Sequence, residues 1–121
     1  YLVLHLVNKN KFDPILPPAN PLHLISPQKY ATERITQSFI NFNNFDYKSQ
    51  FKLEDNNDNA YFEETFKYKD GNIRKNKHKL FMTSQKEILS TAKDVGFSYL
   101  TKVNMVNCGY EYQYLVFLQK K

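Results

Sequence analysis

Cysteine is almost absent from this 121-residue sequence, which contains Cys108 alone. An intramolecular disulfide is therefore excluded, and no Asn-x-Ser/Thr glycosylation signal occurs either. The apolar run at the start, YLVLHLV, is far too short to span a bilayer and has no basic segment before it. Because the sequence lacks the marks of secretion and of membrane insertion, we expect a cytoplasmic protein.

Glycine is also scarce, since the sequence has only Gly71, Gly96 and Gly109, far apart. Loops that cradle phosphates or nucleotides need clustered glycines so that backbone amides can approach the ligand. No segment has the form G-x-G-x-x-G or that of a P-loop. We therefore expect no cofactor-binding residue in this chain.

The residues that most often bind metals or act as nucleophiles are few and scattered. His5, His23 and His78 show no i, i+4 pairing, and without a second cysteine a zinc site is disfavoured. Cys108 has no flanking signature of a nucleophile, and no serine lies in a G-x-S-x-G sequence. The sequence thus predicts no metal ligand and no catalytic residue, so the chain is expected to be inactive as an enzyme by itself.

Arginine is nearly missing from a chain whose net charge is +5. Lysine is a weaker choice than arginine for bidentate phosphate or guanine contacts, and the charges are mixed along the chain. We therefore interpret Lys75, Lys77 and Lys79, which alternate on one strand, as a solvent face or a protected sheet edge. A weak nucleic-acid stripe is the alternative interpretation, and nucleic acid is an unlikely partner on these grounds.

The organisation of the chain follows from its length and its prolines. With 41% hydrophobic residues, 121 residues suffice for a single domain or a domain fragment. All five prolines fall in residues 13–28, which predicts an extended connector. Ser26 and Pro27 suit the start of a short helix near Pro27–Arg34.

Alternation of apolar and polar residues predicts several strands after this connector. Asp70-Gly71 is a strong hairpin signal between two of them. Within the predicted strand Tyr61–Tyr68, the side chains of Phe62, Glu64, Phe66 and Tyr68 share one face. The predicted strands are Tyr1–Val7, Ile35–Phe45, Tyr47–Leu53, Tyr61–Tyr68, Ile73–Met82, Ser98–Val106 and Tyr110–Gln119.

One helix is clearly predicted, at about Gln85–Val95. Ser84 and Glu87 form a capping box, an apolar stripe follows, and Gly96 stands where a left-handed C-terminal residue belongs. The predicted fold class is α+β, mostly antiparallel sheet with this helix and the short one, the helix covering one sheet face. The first strand, YLVLHLV, has the apolar content of a strand buried on both faces.

Three motifs give this chain a resemblance to a known family. They are the apolar strand YLVL at Tyr1–Leu4, the helix that starts SQKEIL and ends VGF at Phe97, and the final strand pair that closes with YQYLVF. This order resembles the C-terminal half of class I S-adenosylmethionine-dependent methyltransferases. The likeness covers roughly residues 1–7 and 78–119, and leaves about residues 35–69 as an inserted β segment.

The resemblance implies limits as well as a function. In such enzymes the glycine loop and the acidic residue that hold S-adenosylmethionine lie upstream of the segment matched here, so the cofactor is implied for the complete protein only. Arg34, Tyr47, Arg74 and His78 are guessed to line the pocket of a small-molecule methyl acceptor in that protein. The chain is then a fragment that is not catalytically competent alone.

A sequence that opens inside a strand is expected to have lost an upstream part. The first strand would then have an open edge and uncovered apolar faces, which predicts a homo-oligomer, most simply a dimer. The alternative is a complete, small, self-associating α+β module that binds a ligand or a protein.

Overall fold

A computed structural model describes residues 1–15, 31–55 and 58–121 of the chain. The predicted connector 13–28 lies outside the described residues from residue 16 onward. The predicted short helix lies outside them through residue 30, and residues 31–34 form a bend without helix. The part of the predicted short helix that the structure describes, residues 31–34, is therefore not helical.

The predicted fold class is confirmed, because antiparallel strands dominate and one α-helix is present among the described residues. The elements in chain order are β1 (Leu2–Val7), β2 (Gln37–Asn41), β3 (Phe45–Leu53), β4 (Asn59–Tyr68), β5 (Ile73–Phe81), α1 (Gln85–Asp94), β6 (Phe97–Asn104) and β7 (Gln113–Lys120). A short 3-10 helix, Met105–Cys108, joins β6 to β7.

The chain groups into two compact units. Unit 1 comprises Tyr1–Phe12 and Thr83–Lys121, and unit 2 comprises Asp13–Met82. The inserted segment predicted for residues 35–69 lies inside unit 2, whose sheet continues to Phe81. That the units form a single domain stays a prediction from length.

Unit 1 is a three-stranded sheet with the order β1-β7-β6 and the helix α1. Strand β7 is antiparallel to both neighbours, so β1 and β6 run parallel to each other. The capping box predicted for α1 is present, because Ser84 Oγ accepts from the Glu87 amide and the Glu87 carboxylate accepts from the Ser84 amide. At the other end Lys120 Nζ donates to the Val95 carbonyl at 2.6 Å.

The core of unit 1 lies between α1 and one face of this sheet. Its buried side chains are Leu6, Ala92, Val116 and Leu118, with Leu2, Leu4, Ile88, Leu89, Phe97 and Tyr114 packed around them. The expectation that β1 is buried on both faces is wrong. Leu2, Leu4 and Leu6 face the core, whereas Val3 is 50% exposed and His5 is also exposed. Side chains alternate along a strand, and α1 covers only one face of the described sheet.

Unit 2 contains a four-stranded antiparallel sheet in the order β2-β3-β4-β5. Each strand pairs with the next in sequence, and Gly71, with φ of +91°, closes the β4–β5 hairpin. The predicted boundary between the first two strands is wrong. Strand β2 ends at Asn41 and Phe45 begins β3, because the chain turns at residues 42–44 and the Phe42 amide donates to the Phe45 carbonyl at 2.9 Å.

Candidate functional site

Glu64 is a carboxylate on the face of the unit 2 sheet that carries most of its aromatic rings. Its side chain is 20% exposed. Tyr47 Oη donates to Glu64 Oε1 at 2.8 Å, and Asn76 Nδ2 donates to Glu64 Oε2 at 3.4 Å. His78 Nε2 lies 3.8 Å from Glu64 Oε2, which is ion-pair distance whenever the imidazole is protonated. We call Glu64 with Tyr47, Asn76 and His78 the Glu64 cluster.

The strand register explains why these residues meet. Glu64 on β4 lies between Ser49 on β3 and Asn76 on β5. Tyr47 and His78 occupy the positions two residues along each neighbouring strand, so they point to the same face and reach Glu64 diagonally. The sheet thus brings together side chains that are up to about thirty residues apart in sequence.

Aromatic rings surround the Glu64 cluster on the same face. The ring of Phe66 lies 5.1 Å from that of Tyr47, and the ring of Phe62 lies 6.4 Å from that of His78. The guanidinium of Arg74 lies over Phe66 at 5.6 Å, and its Nε donates to Asn76 Oδ1 at 3.4 Å. The half-buried carboxylate of Glu64 thus lies among aromatic rings together with the hydroxyl of Tyr47, the imidazole of His78 and the guanidinium of Arg74.

The protonation of Tyr47 follows from this setting. Burial raises the pKa of Tyr47 first, and the hydrogen bond and charge of Glu64 raise it further, while a hydrogen bond to Ser49 opposes them. The phenol is therefore held in its protonated form, as the donor to Glu64. Chemically, this arrangement can accept and donate hydrogen bonds to a polar group that lies against the rings.

Three of the four residues guessed from the sequence come together at this place. Tyr47 and His78 belong to the Glu64 cluster, and Arg74 touches it through Asn76 and Phe66. Arg34 is placed differently, because its guanidinium lies 5.4 Å from the ring of Phe51. Burial lowers the pKa of Arg34, and the charge of Asp13 acts against that shift.

Glu64 and Asn76 are members of the site that sequence reasoning did not select. Glu64 was placed on the correct face, with Phe62 and Phe66, but no role was assigned to it. The available signal was a single carboxylate at an inward position of an aromatic strand. Such a position is costly for a charge that has no hydrogen-bond partners.

A polar cleft lies within unit 1, at the carboxyl end of β1. This polar cleft has a volume of about 350 Å³. It is lined by Asn8, Lys9, Asn10, Gln85, Lys102 and Tyr114, among others. The Lys102 ammonium lies 4.8 Å from the Tyr114 ring.

Within residues 1–15, 31–55 and 58–121, no group of three His, Cys, Asp or Glu side chains could hold a metal ion. The thiol of Cys108 is exposed. No helix in the same ranges is long and apolar enough to cross a membrane.

Comparison with known proteins gives no relative. No protein-family model, no curated protein and no solved structure matches the chain significantly.

Proposed function

We propose that this chain is the C-terminal part of a class I S-adenosylmethionine-dependent methyltransferase-like protein, with unit 2 as its methyl-acceptor-binding insert. The observation that carries the proposal is the incomplete sheet of unit 1. Its strand β1 has one edge without a partner strand among the described residues, and one face of the sheet has no covering helix among them.

The topology of unit 1 supports this reading. Strands β1 and β6 are parallel, and the chain passes through α1 before entering β6. Parallel strands with a helix on the sheet are typical of α/β proteins, in which an antiparallel strand is often added near the edge. The resemblance implies a helix followed by a final antiparallel pair, and α1 is followed by β6 and β7.

The uncovered face of the unit 1 sheet also supports the proposal. Val3 and Val103 are about half exposed there, at 50% and 49%, and Leu115 and Phe117 are half-buried beside them. Every pair in this sheet is antiparallel, and such a sheet can leave one face to water, but that face is then usually polar, whereas this one carries Val3, Val103 and Phe117. A preceding half of the domain would supply both the missing neighbour of β1 and the second helical layer.

The residues described here do not form a cradle for S-adenosylmethionine. Gly71, Gly96 and Gly109 all have positive φ and close a hairpin, a helix and a 3-10 helix. None of them follows the carboxyl end of a strand in a loop that enters a helix, as a nucleotide loop requires. The cofactor would have to be held by residues outside this sequence, so no methyl-transfer step is assigned to the present side chains.

The part assigned to unit 2 is binding of the methyl acceptor. Tyr47, Arg74 and His78, together with Glu64, offer hydrogen-bond donors and acceptors beside aromatic rings, which suits a small molecule with polar groups and an apolar body. Arg34 remains a proposed outer member of this pocket.

The test is to read the coding DNA upstream of the Tyr1 codon and to express the extended protein. An in-frame extension of about 100 residues or more, with a strand followed by a glycine-rich loop, is expected. Calorimetry should then detect S-adenosylmethionine binding to the extended protein and none to the 121-residue chain. A stop or start codon directly before Tyr1, or an extension that fails to bind the cofactor, would contradict the proposal.

A second candidate function is a self-associating binding module. It is favoured by the same features of β1, because an apolar strand edge can pair with a second copy of the chain. The upstream sequence separates the two candidates. A chain that starts at Tyr1 has to satisfy the edge by self-association, whereas a longer chain satisfies it internally.

A further inference from the structure

The face of the unit 2 sheet opposite the Glu64 cluster gathers lysines from three strands. The strand register places six lysines on this face, which are Lys48, Lys52, Lys67, Lys75, Lys77 and Lys79. All six are exposed. Two carboxylates, Asp46 and Glu63, share the face with them. We call this surface the lysine face.

Folding separates charges that are mixed along the chain. Glu63 and Glu64 are adjacent in sequence but point to opposite faces, and Glu64 is withdrawn among the rings of the other side. On the lysine face Lys77 Nζ forms a salt bridge of 2.9 Å with Glu63. The hydrogen bond and charge of Lys77, followed by the charges of Lys75 and Lys52, hold the pKa of Glu63 below its usual range. The lysines of β3 and β5 therefore act on one shared patch.

Protection of a sheet edge does not account for this arrangement. Lysines on β5, an edge strand, discourage pairing with another chain. Lys48 and Lys52 lie on β3 and Lys67 lies on β4, which are the two central strands. Their ammonium groups do nothing to block an edge, so they require another explanation.

Aromatic side chains are interleaved with the lysines. Phe39, whose register partner is Lys48, is 62% exposed, and Phe81 at the end of β5 is 75% exposed. The Lys77 ammonium lies 4.7 Å from the ring of Tyr61. Flat sheet faces that combine cations with exposed rings are suited to splayed bases, which stack on the rings while the cations neutralise phosphates.

We infer that the lysine face binds single-stranded nucleic acid, with Lys48, Lys75 and Lys79 contacting phosphates and Phe39 stacking on a base. The inference goes beyond the methyltransferase proposal and does not need it, because every residue involved belongs to unit 2. Lysine contacts phosphate as a point charge, so affinity comes from charge and stacking and carries little sequence preference. The sequence favoured a plain solvated surface because positive and negative residues are mixed along the chain. Their separation onto the two faces of the sheet becomes visible only in the structure.

The test is fluorescence anisotropy of the full 121-residue chain with labelled 15-nucleotide oligo(dT) and oligo(U), over a series of salt concentrations. The variant Lys48→Gln/Lys75→Gln/Lys79→Gln is compared with Lys86→Gln/Lys93→Gln/Lys121→Gln. Both triples remove equal charge, but the second lies in unit 1. The first triple should weaken binding about tenfold or more and make the slope of log K against log salt shallower by about 2, since each phosphate contact on a single strand contributes about 0.7. The control should weaken binding far less.

A second pair of variants tests the stacking. Phe39→Ala should weaken binding about fivefold or more, whereas Tyr99→Ala, which removes a comparably exposed ring from unit 1, should leave it unchanged. Duplex DNA of the same length should bind more weakly than either single strand, because its bases are already stacked. Equal losses for the two lysine triples, preference for duplex, or binding to vesicles that contain phosphatidylserine with none to either oligonucleotide would overturn the inference.

Discussion

Glu64 is held where a carboxylate needs support from its neighbours. Its side chain is 20% exposed, against 48% for Glu63, and lies among aromatic rings. A buried charge is tolerated only when hydrogen bonds replace its lost hydration. The Tyr47 hydroxyl and the Asn76 amide provide those bonds, so the three side chains depend on one another.

The dependence gives a prediction about the titration of Tyr47. Glu64→Gln removes the negative charge that adds to the effect of burial, so the pKa of Tyr47 should fall but stay above the ordinary value of about 10. NMR of 13C-labelled tyrosine, with Tyr47→Phe to assign the signal, measures this. Glu63→Gln, on the opposite face, is the matched control and should leave Tyr47 unchanged.

The raised pKa of Tyr47 also determines how the stability of the folded protein changes with pH. A tyrosine whose pKa is raised on folding favours the protonated folded protein, so stability is fully present below about pH 10 and is lost as pH rises through the raised pKa. The loss should be smaller in Tyr47→Phe when unfolding is followed at alkaline pH. An identical alkaline loss in both proteins would show that Tyr47 is not its source.

Tyr47, Arg74 and His78 could be guessed as pocket residues from the sequence, with no motif to support the guess, but Glu64 could not be identified as the residue that they surround. Alternation along the strand places Glu64, and not Glu63, on the face of Phe62 and Phe66. Only the register of β4 against β3 and β5 shows which side chains of the neighbouring strands meet Glu64, and register depends on pairing partners far away in sequence.

At the level of elements, the helix was the most predictable part. Its two ends are marked by local interactions. At the start, the side chains of Ser84 and Glu87 each accept a hydrogen bond from the other residue's backbone amide, and Gly96, with φ of +90°, follows the end. The strands were recognisable by their period of two, but that period is the same in both sheets. The Asp70-Gly71 signal indicated that β5 pairs with β4, but nothing local in the sequence revealed that β1 pairs with β7.

The start of α1 provides a further prediction. Ser84→Ala removes the acceptor for the Glu87 amide and should lower the free energy of unfolding by about 1 kcal/mol. Urea unfolding followed by circular dichroism measures the change. Ser90→Ala, in the exposed interior of the same helix, is the control and should be neutral or slightly stabilising, because alanine has the higher helix propensity. Equal destabilisation by both would contradict a capping role for Ser84.

At the scale of the whole molecule, the open edge of β1 has to find a partner. Apart from His5, the strand Leu2–Val7 is entirely apolar, and it contains neither lysine nor proline. Natural sheets protect their edges with such residues or cover them. No strand of residues 1–15, 31–55 and 58–121 pairs with the other edge of β1. A preceding half of the domain could satisfy these backbone groups in a longer protein, and a second copy could satisfy them in the 121-residue chain.

The isolated chain is therefore expected to form a homodimer by pairing β1 with β1 of a second copy, and light scattering after size exclusion should give twice the monomer mass. Val3→Lys places a charge on the exposed side of β1 and should shift the equilibrium toward monomer. Val95→Lys is the matched control, because Val95 is similarly exposed, at 57%, but lies at the end of α1, so the dimer should persist. If the chain is a monodisperse monomer at all concentrations, the edge of β1 does not need a partner strand. That result would contradict both proposed functions of unit 1. A dimer that Val95→Lys disrupts as strongly as Val3→Lys would instead place the interface at the end of α1, away from β1.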